Sequence, residues 1–184
     1  MLRHARWEGL WQHPVASWES LDWSDGQAVG QIRIAAVERQ LPCQLDYRLE
    51  WDADWRLRRA WLRRENEHSS GELTLDSDGQ GHWQRDGEAL AELDGCLDLD
   101  LWPSPFTNTL PIRRLHLAPG AQAALDVVYL QAADLRPQRM RQGYECLDAR
   151  HYRYRNLDGS GFEAVLEVDE HGLVLDYPGL FRRR

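Results

Sequence analysis

The chain contains no lysine: all 22 of its permanently basic residues are arginine. That removes the Schiff-base lysine of aldolase and pyridoxal chemistry and the P-loop lysine of Walker-type phosphoryl transfer. Each of these cations is a planar fork suited to carboxylate or phosphate. Cysteine is scarce as well. Cys43, Cys96 and Cys146 stand far apart and form no Cys-x-x-Cys or Cys/His cluster, so neither a zinc site nor a disulfide framework is encoded, and three buried free thiols are expected. Gly-x-Ser-x-Gly, His-Glu-x-x-His and Gly-x-Gly-x-x-Gly are all missing, and no cofactor or metal is expected. No run approaches the roughly 20 apolar residues of a spanning helix, and MLRHARWEGL is not followed by an apolar stretch of signal-peptide length. No integral membrane segment is expected, and a cytoplasmic location is. The basic face that a nucleic-acid partner needs is also wanting, because the formal net charge is -8.

What the chain has is aromatic bulk, with nine Trp and six Tyr in a sequence that is 42% hydrophobic. Such side chains bring enough burial to offset ordering entropy, and 184 residues suffice for one domain, 1–184, with a substantial core. Trp7, Trp11, Trp18 and Trp23 are expected to fill that core.

Period two is the strongest pattern. In Leu45-Asp46-Tyr47-Arg48-Leu49-Glu50-Trp51 apolar and charged residues alternate, as a one-sided antiparallel strand requires. The pattern recurs at Leu97–Leu101, Phe162–Val168 and Leu173–Tyr177. Asp-Gly pairs at 25–26, 78–79, 86–87, 94–95 and 158–159 supply the positive backbone angles of tight hairpin turns. An all-β meander, sandwich or barrel follows, with low helix content and one short helical turn near Gly87–Leu93.

One stretch carries most of the chemistry: GCLDLDLWPSPFTNTLPIRRL, from Gly95 to Leu115. Leu97–Trp102 reads as a strand and Ile112–Leu117 as its hairpin partner. Alternation then places Asp98 and Asp100 opposite the leucine face, with Arg114 and His116 beside them, so Arg114 is expected to form an exposed cross-strand salt bridge with Asp98 or Asp100. Arg113 falls on the leucine face, where it must reach the sheet edge, pair with an internal acid such as Asp169 or Asp176, or await an anionic ligand group. Pro103-Ser104-Pro105-Phe106-Thr107-Asn108-Thr109-Leu110-Pro111 cannot be a central strand and reads as a stiff loop.

Three long runs in this sequence are compositionally unusual: Gly95-Cys96-Leu97-Asp98-Leu99-Asp100, Thr107–Leu115, and Val174-Leu175-Asp176-Tyr177-Pro178-Gly179-Leu180-Phe181-Arg182-Arg183. In these the chain resembles a bacterial family catalogued as putative glycolipid-binding, over nearly its whole length. The resemblance implies a large antiparallel, strongly curved sheet or β-barrel similar to that of lipoprotein-localisation factors, with short helical turns, and a small amphipathic, glycolipid-like ligand. No catalytic set comes with it. The expected site is an apolar groove inside the sheet. Arg113 anchors an anionic or sugar head there, with Arg114, Asp98, Asp100, Trp102, Phe106, Asn108 and Tyr177 around it. Two other readings compete: a hydrolase or isomerase of a lipid-like or sugar substrate using Asp98, Asp100 and His116, and a non-catalytic interaction protein whose exposed aromatics meet a partner.

Overall fold

The computed structural model describes residues 1–11, 17–35 and 42–184. Among them, alternation is realised most fully in β2 (Ser17–Ser24) and β4 (Cys43–Trp51). In β4 Leu45, Tyr47, Leu49 and Trp51 point inward while Arg48 points out, and β2 buries Ser17, Glu19, Leu21 and Trp23. Each enclosed leucine contributes about 1.5–3 kcal/mol by leaving water, so period two is the main determinant of which face is inside.

The strands form one sheet of fifteen in the described residues. From β1 (Arg3–Gly9) it runs through β2, β3 (Gln27–Ile34), β4, β5 (Leu57–Asn66), β6 (Ser70–Ser77) and β7 (Trp83–Arg85) to β8 (Glu88–Ala89). On the other side of β1 it runs backwards through the chain, from β15 (Phe181–Arg183) through β14 (Val174–Tyr177), β13 (Glu163–Val168), β12 (His151–Asn156), β11 (Gln138–Cys146) and β10 (Gln122–Gln131) to β9 (Asp98–Trp102). The arginine-rich end is thus a strand that joins the two halves. Phe181 pairs with Gly9, while Arg183 pairs ionically with Asp169 and Arg184 with Glu8.

The sheet is strongly curved but not closed, which corrects the barrel alternative. Its edges are β8 and β9, and the connection between them, with a 3-10 turn at Ala91–Leu93, straps the seam. Trp83 Nε1 donates to the Cys96 carbonyl (2.7 Å), Gly95 N to the Gly81 carbonyl (2.8 Å), and Arg139 Nη1 to the Asp94 carbonyl (2.9 Å). A Cβ at Gly81, where φ is +98°, would lie 3.0 Å from Gly95 Cα, so only glycine fits that crossing.

Three local expectations are corrected. The partner of β9 is β10, in a parallel ladder, not a hairpin formed with Ile112–Leu117. Thr109–Leu115 is instead a helix, α1, reached through a 3-10 turn at Phe106–Asn108. Pro111 falls in its first turn, where the missing N–H costs nothing, Arg113 and Arg114 lie in its last turn, and His116 ends it in the left-handed region at φ 45°. The 103–111 stretch, expected as a stiff loop, is instead largely helical turns, and Ser104, Phe106, Thr107 and Leu110 in it are all buried. It plugs the inside of the curved sheet.

The tryptophans divide. Trp7 and Trp23 are core residues and Trp11 packs on Trp102 and Phe181, but Trp18 is exposed because alternation places it opposite Glu19. Cys96 and Cys146 are buried and free, and Cys43 is half-buried and free.

Candidate functional site

The site grows from the plug. Glu19, on the inward face of β2, accepts from Tyr47 Oη (2.5 Å) and Ser104 Oγ (2.6 Å), and the Phe106 N–H also reaches it. Tyr47 lies across Gly30, its register partner on β3, where any Cβ would overlap the ring. Burial pushes the Glu19 carboxyl up to about 7, against the pull of those hydrogen bonds, and its Oε2 has no partner among the described residues. This carboxyl fixes the turn that presents Ser104 and Asn108.

Above that turn is a cavity of about 260 Å³. Its floor is Asp100, Ser104 and Asn108, and Asn156 stands on β12. Its walls are aromatic: Trp102 from β9, Tyr129 from β10, Tyr154 from β12, Phe162 just before β13, Tyr177 from β14 and Phe181 from β15, with Met140 and Leu180 completing it. Edge-on contacts brace these rings, Tyr154 with Phe162 at 6.1 Å and Tyr177 with Phe181 at 5.8 Å between centroids. Gln142 Nε2 donates to Asp100 Oδ2 (2.6 Å), and burial lifts the Asp100 carboxyl to about 6, partly countered by Gln142 and Thr107. Asn108 is 5% exposed and its Oδ1 has no donor among the described residues. A buried, unpaired amide oxygen beside a cavity is a ready hydrogen-bond acceptor.

The residues expected at the site therefore separate. Asp100, Trp102, Asn108 and Tyr177 come together in the cavity, and Phe106 lies beneath it, 6.0 Å from Trp51 between ring centroids. Asp98 and Arg114 do pair, as Arg114 Nη2–Asp98 Oδ2 at 2.6 Å with Nε at 3.1 Å, but from helix to strand and out of water. The Asp98 side chain is 1% and that of Arg114 13% exposed, so the exposed-bridge expectation is corrected. Arg113 is not on an inner wall. It is exposed on α1 with its guanidinium 5.0 Å from the Trp55 ring centroid, and the acids expected for it are held by others, Asp169 by Arg183 and Asp176 by Arg182. His116 is exposed at the helix end. The cavity that Asp100 lines includes neither Asp98 nor His116, so the acid–base trio does not share a cleft there.

Sequence reasoning missed Glu19, Gln142, Tyr129, Tyr154 and Phe162. Glu19 had a legible signal, a carboxylate in phase with Leu21 and Trp23 on an inward face. The others come from strands whose meeting depends on curvature.

A wider groove of about 860 Å³ lies on the opposite face of β1–β5, over the cross-strand row His4, Asp22, Val29, Arg48 and Trp61. Two pairs of its polar groups engage one another, His4 with Asp22 (3.0 Å) and Gln31 with Asp46 (2.7 Å), while Arg59 and Trp61 reach Asp76 and Glu72 outside it. None of its residues holds one of the buried unpartnered atoms found in the described residues. Size alone does not make it the site. Among the described residues no group of three or more His, Cys, Asp and Glu could hold a metal ion, and no helix is long and apolar enough to cross a membrane.

The sequence profile of the family described as "Putative glycolipid-binding" matches residues 6–183. The chain belongs to this family. It is also similar to the crystal structure of a DUF1089 family protein from Pseudomonas aeruginosa, with 58% identity over 96% of each chain and a TM-score of 0.91. No functionally curated protein matches.

Proposed function

We propose that the protein binds a small amphipathic lipid that carries a sugar, with the sugar ring seated in the cavity between β9, the 103–108 turn and β12–β15. One observation carries the reading: six aromatic side chains surround a floor made of Asp100 and an unpartnered Asn108. Aromatic faces pack against the C–H faces of a sugar while a few placed polar groups take its hydroxyls. The family description points the same way. At about 260 Å³ the cavity lies just below the roughly 300–1,000 Å³ of drug-sized pockets. It suits one ring, and the lipid chain leaves over the rim at Phe162, which is 38% exposed, and Leu180. Neither Arg113 nor Arg114 lines this cavity, so the arginine anchor is not part of the proposal.

The test is titration of the purified protein with an alkyl glucoside below its micelle concentration, followed by tryptophan fluorescence, since Trp102 lines the cavity. Saturable quenching that is lost in Tyr177→Ala is expected, and linear, non-saturating change in both proteins would overturn the reading. The proposal includes a cytoplasmic location, because free buried thiols at Cys96 and Cys146 suit a reducing compartment. Cell fractionation that recovers the protein outside the cytoplasm would refute that part.

A further inference from the structure

The lining of the cavity carries negative charge and no positive charge. Of its twelve lining residues none is arginine, lysine or histidine, and the single ionisable acid, Asp100, is held by neutral Gln142 rather than by a cation. Ser104 has committed its hydroxyl hydrogen to Glu19 Oε1, so it offers the cavity only lone pairs. Asn108 adds an amide oxygen that no donor reaches among the described residues. The phenols of Tyr129, Tyr154 and Tyr177 stay neutral, because burial pushes each of them up, Tyr129 to about 12.

An anionic group placed here meets one uncompensated carboxylate, and the neutral phenol, amide and indole donors around it bring no positive charge to replace its lost hydration. A sugar hydroxyl can donate to Asp100 or Ser104 and accept from the phenols, and an ammonium group meets a carboxylate of opposite charge. Resting on the sugar-site reading above, we infer that the cavity selects head groups that donate hydrogen bonds, neutral sugar hydroxyls or an amino sugar, and rejects heads that carry phosphate or carboxylate.

Three ring-matched probes test this: n-octyl glucoside, n-octyl glucuronide, which adds a carboxylate to the same ring, and an n-octyl 2-amino-2-deoxyglucoside. Each is titrated below its micelle concentration by calorimetry at about pH 7, where the Asp100 carboxyl, lifted to about 6, is mostly ionised and an amino-sugar ammonium keeps most of its proton. The glucoside should bind at least about tenfold more tightly than the glucuronide, the scale expected of a like charge brought beside a part-buried carboxylate. The aminoglucoside should match or exceed the glucoside. In Asp100→Asn the glucoside-to-glucuronide ratio should fall toward one.

Equal or tighter binding of the glucuronide overturns the inference while leaving the site in place. So does an aminoglucoside bound as poorly as the glucuronide, since charge of either sign would then be refused. If none of the three binds, the sugar site itself fails and the inference with it. The ratio in the unsubstituted protein decides the matter even where Asp100→Asn does not fold.

Discussion

Replacing Glu19 by glutamine should change the pH dependence of stability in a calculable way. Burial lifts this carboxyl from the ordinary 4.5 to about 7 in the folded protein. At 1.36 kcal/mol for each tenfold change in proton affinity, that difference corresponds to about 3 kcal/mol. The folded state binds the proton more tightly than the unfolded state does, so the contribution is fully present below pH 4.5 and is lost as pH rises through about 7. Glutamine has no such titration. Its amide nitrogen, at the place of the unpartnered Oε2, leaves a buried donor unsatisfied at a cost of about 1–3 kcal/mol at every pH. Glu19→Gln should therefore be the less stable protein near pH 4.5. The gap should then shift by about 3 kcal/mol in its favour by about pH 8. Asp100, also raised, to about 6, is present in both proteins and cancels in the difference. Urea unfolding followed by tryptophan fluorescence at a series of pH values measures this directly. A stability difference that stays constant from acid to alkaline conditions would refute the account of Glu19.

Three further outcomes follow from the same packing. Gly30→Ala places a methyl group in the ring of Tyr47, which is 1% exposed and has nowhere to retreat, so a loss of about 1–3 kcal/mol by urea unfolding is expected, with the pH dependence at Glu19 altered as the Tyr47 bond is displaced. Arg114→Ala leaves the buried Asp98 carboxylate without its partner and should cost about 3–5 kcal/mol, whereas Asp98→Ala with Arg114→Ala should cost less than the two single changes added together, as a double-mutant cycle would measure. Arg113→Ala removes an exposed cation–π contact with Trp55 and the stem that lies beside Gly172, so stability should fall by no more than about 1 kcal/mol and alkyl glucoside titrations should be unchanged.

Much of the site was within reach of the sequence and its assembly was not. Asp100, Trp102, Asn108 and Tyr177 were legible as candidates because they belong to a stretch where charge, proline and aromatics crowd together or to the end of an alternating strand. All four line one cavity, yet half of its six aromatic residues, Tyr129, Tyr154 and Phe162, come from strands or strand ends that only the curvature of the sheet brings near. Arg113 went the other way. Read in a strand, Leu115 and Leu117 drew it onto the inner face, but in α1 the buried residues are Thr109, Leu110, Pro111 and Ile112, and Arg113 turns outward. Seven residues are too few to separate a period of 2 from one of 3.6 when apolar side chains satisfy both.

By itself the sequence determined much of what is local: where the long alternating strands lie, which of their apolar side chains face inward, where Asp-Gly turns join them, and which chemistries the absence of lysine forbids. These follow from side-chain direction along a single backbone segment, which needs no partner. Tertiary structure decided the parallel β9–β10 ladder, the union of the halves through β1 and β15, the burial of the plug on Glu19 and the displacement of Arg113 to the surface. Each of those depends on contacts between residues distant in the chain, where loop closure and the competition for buried volume set the outcome and no local pattern encodes it.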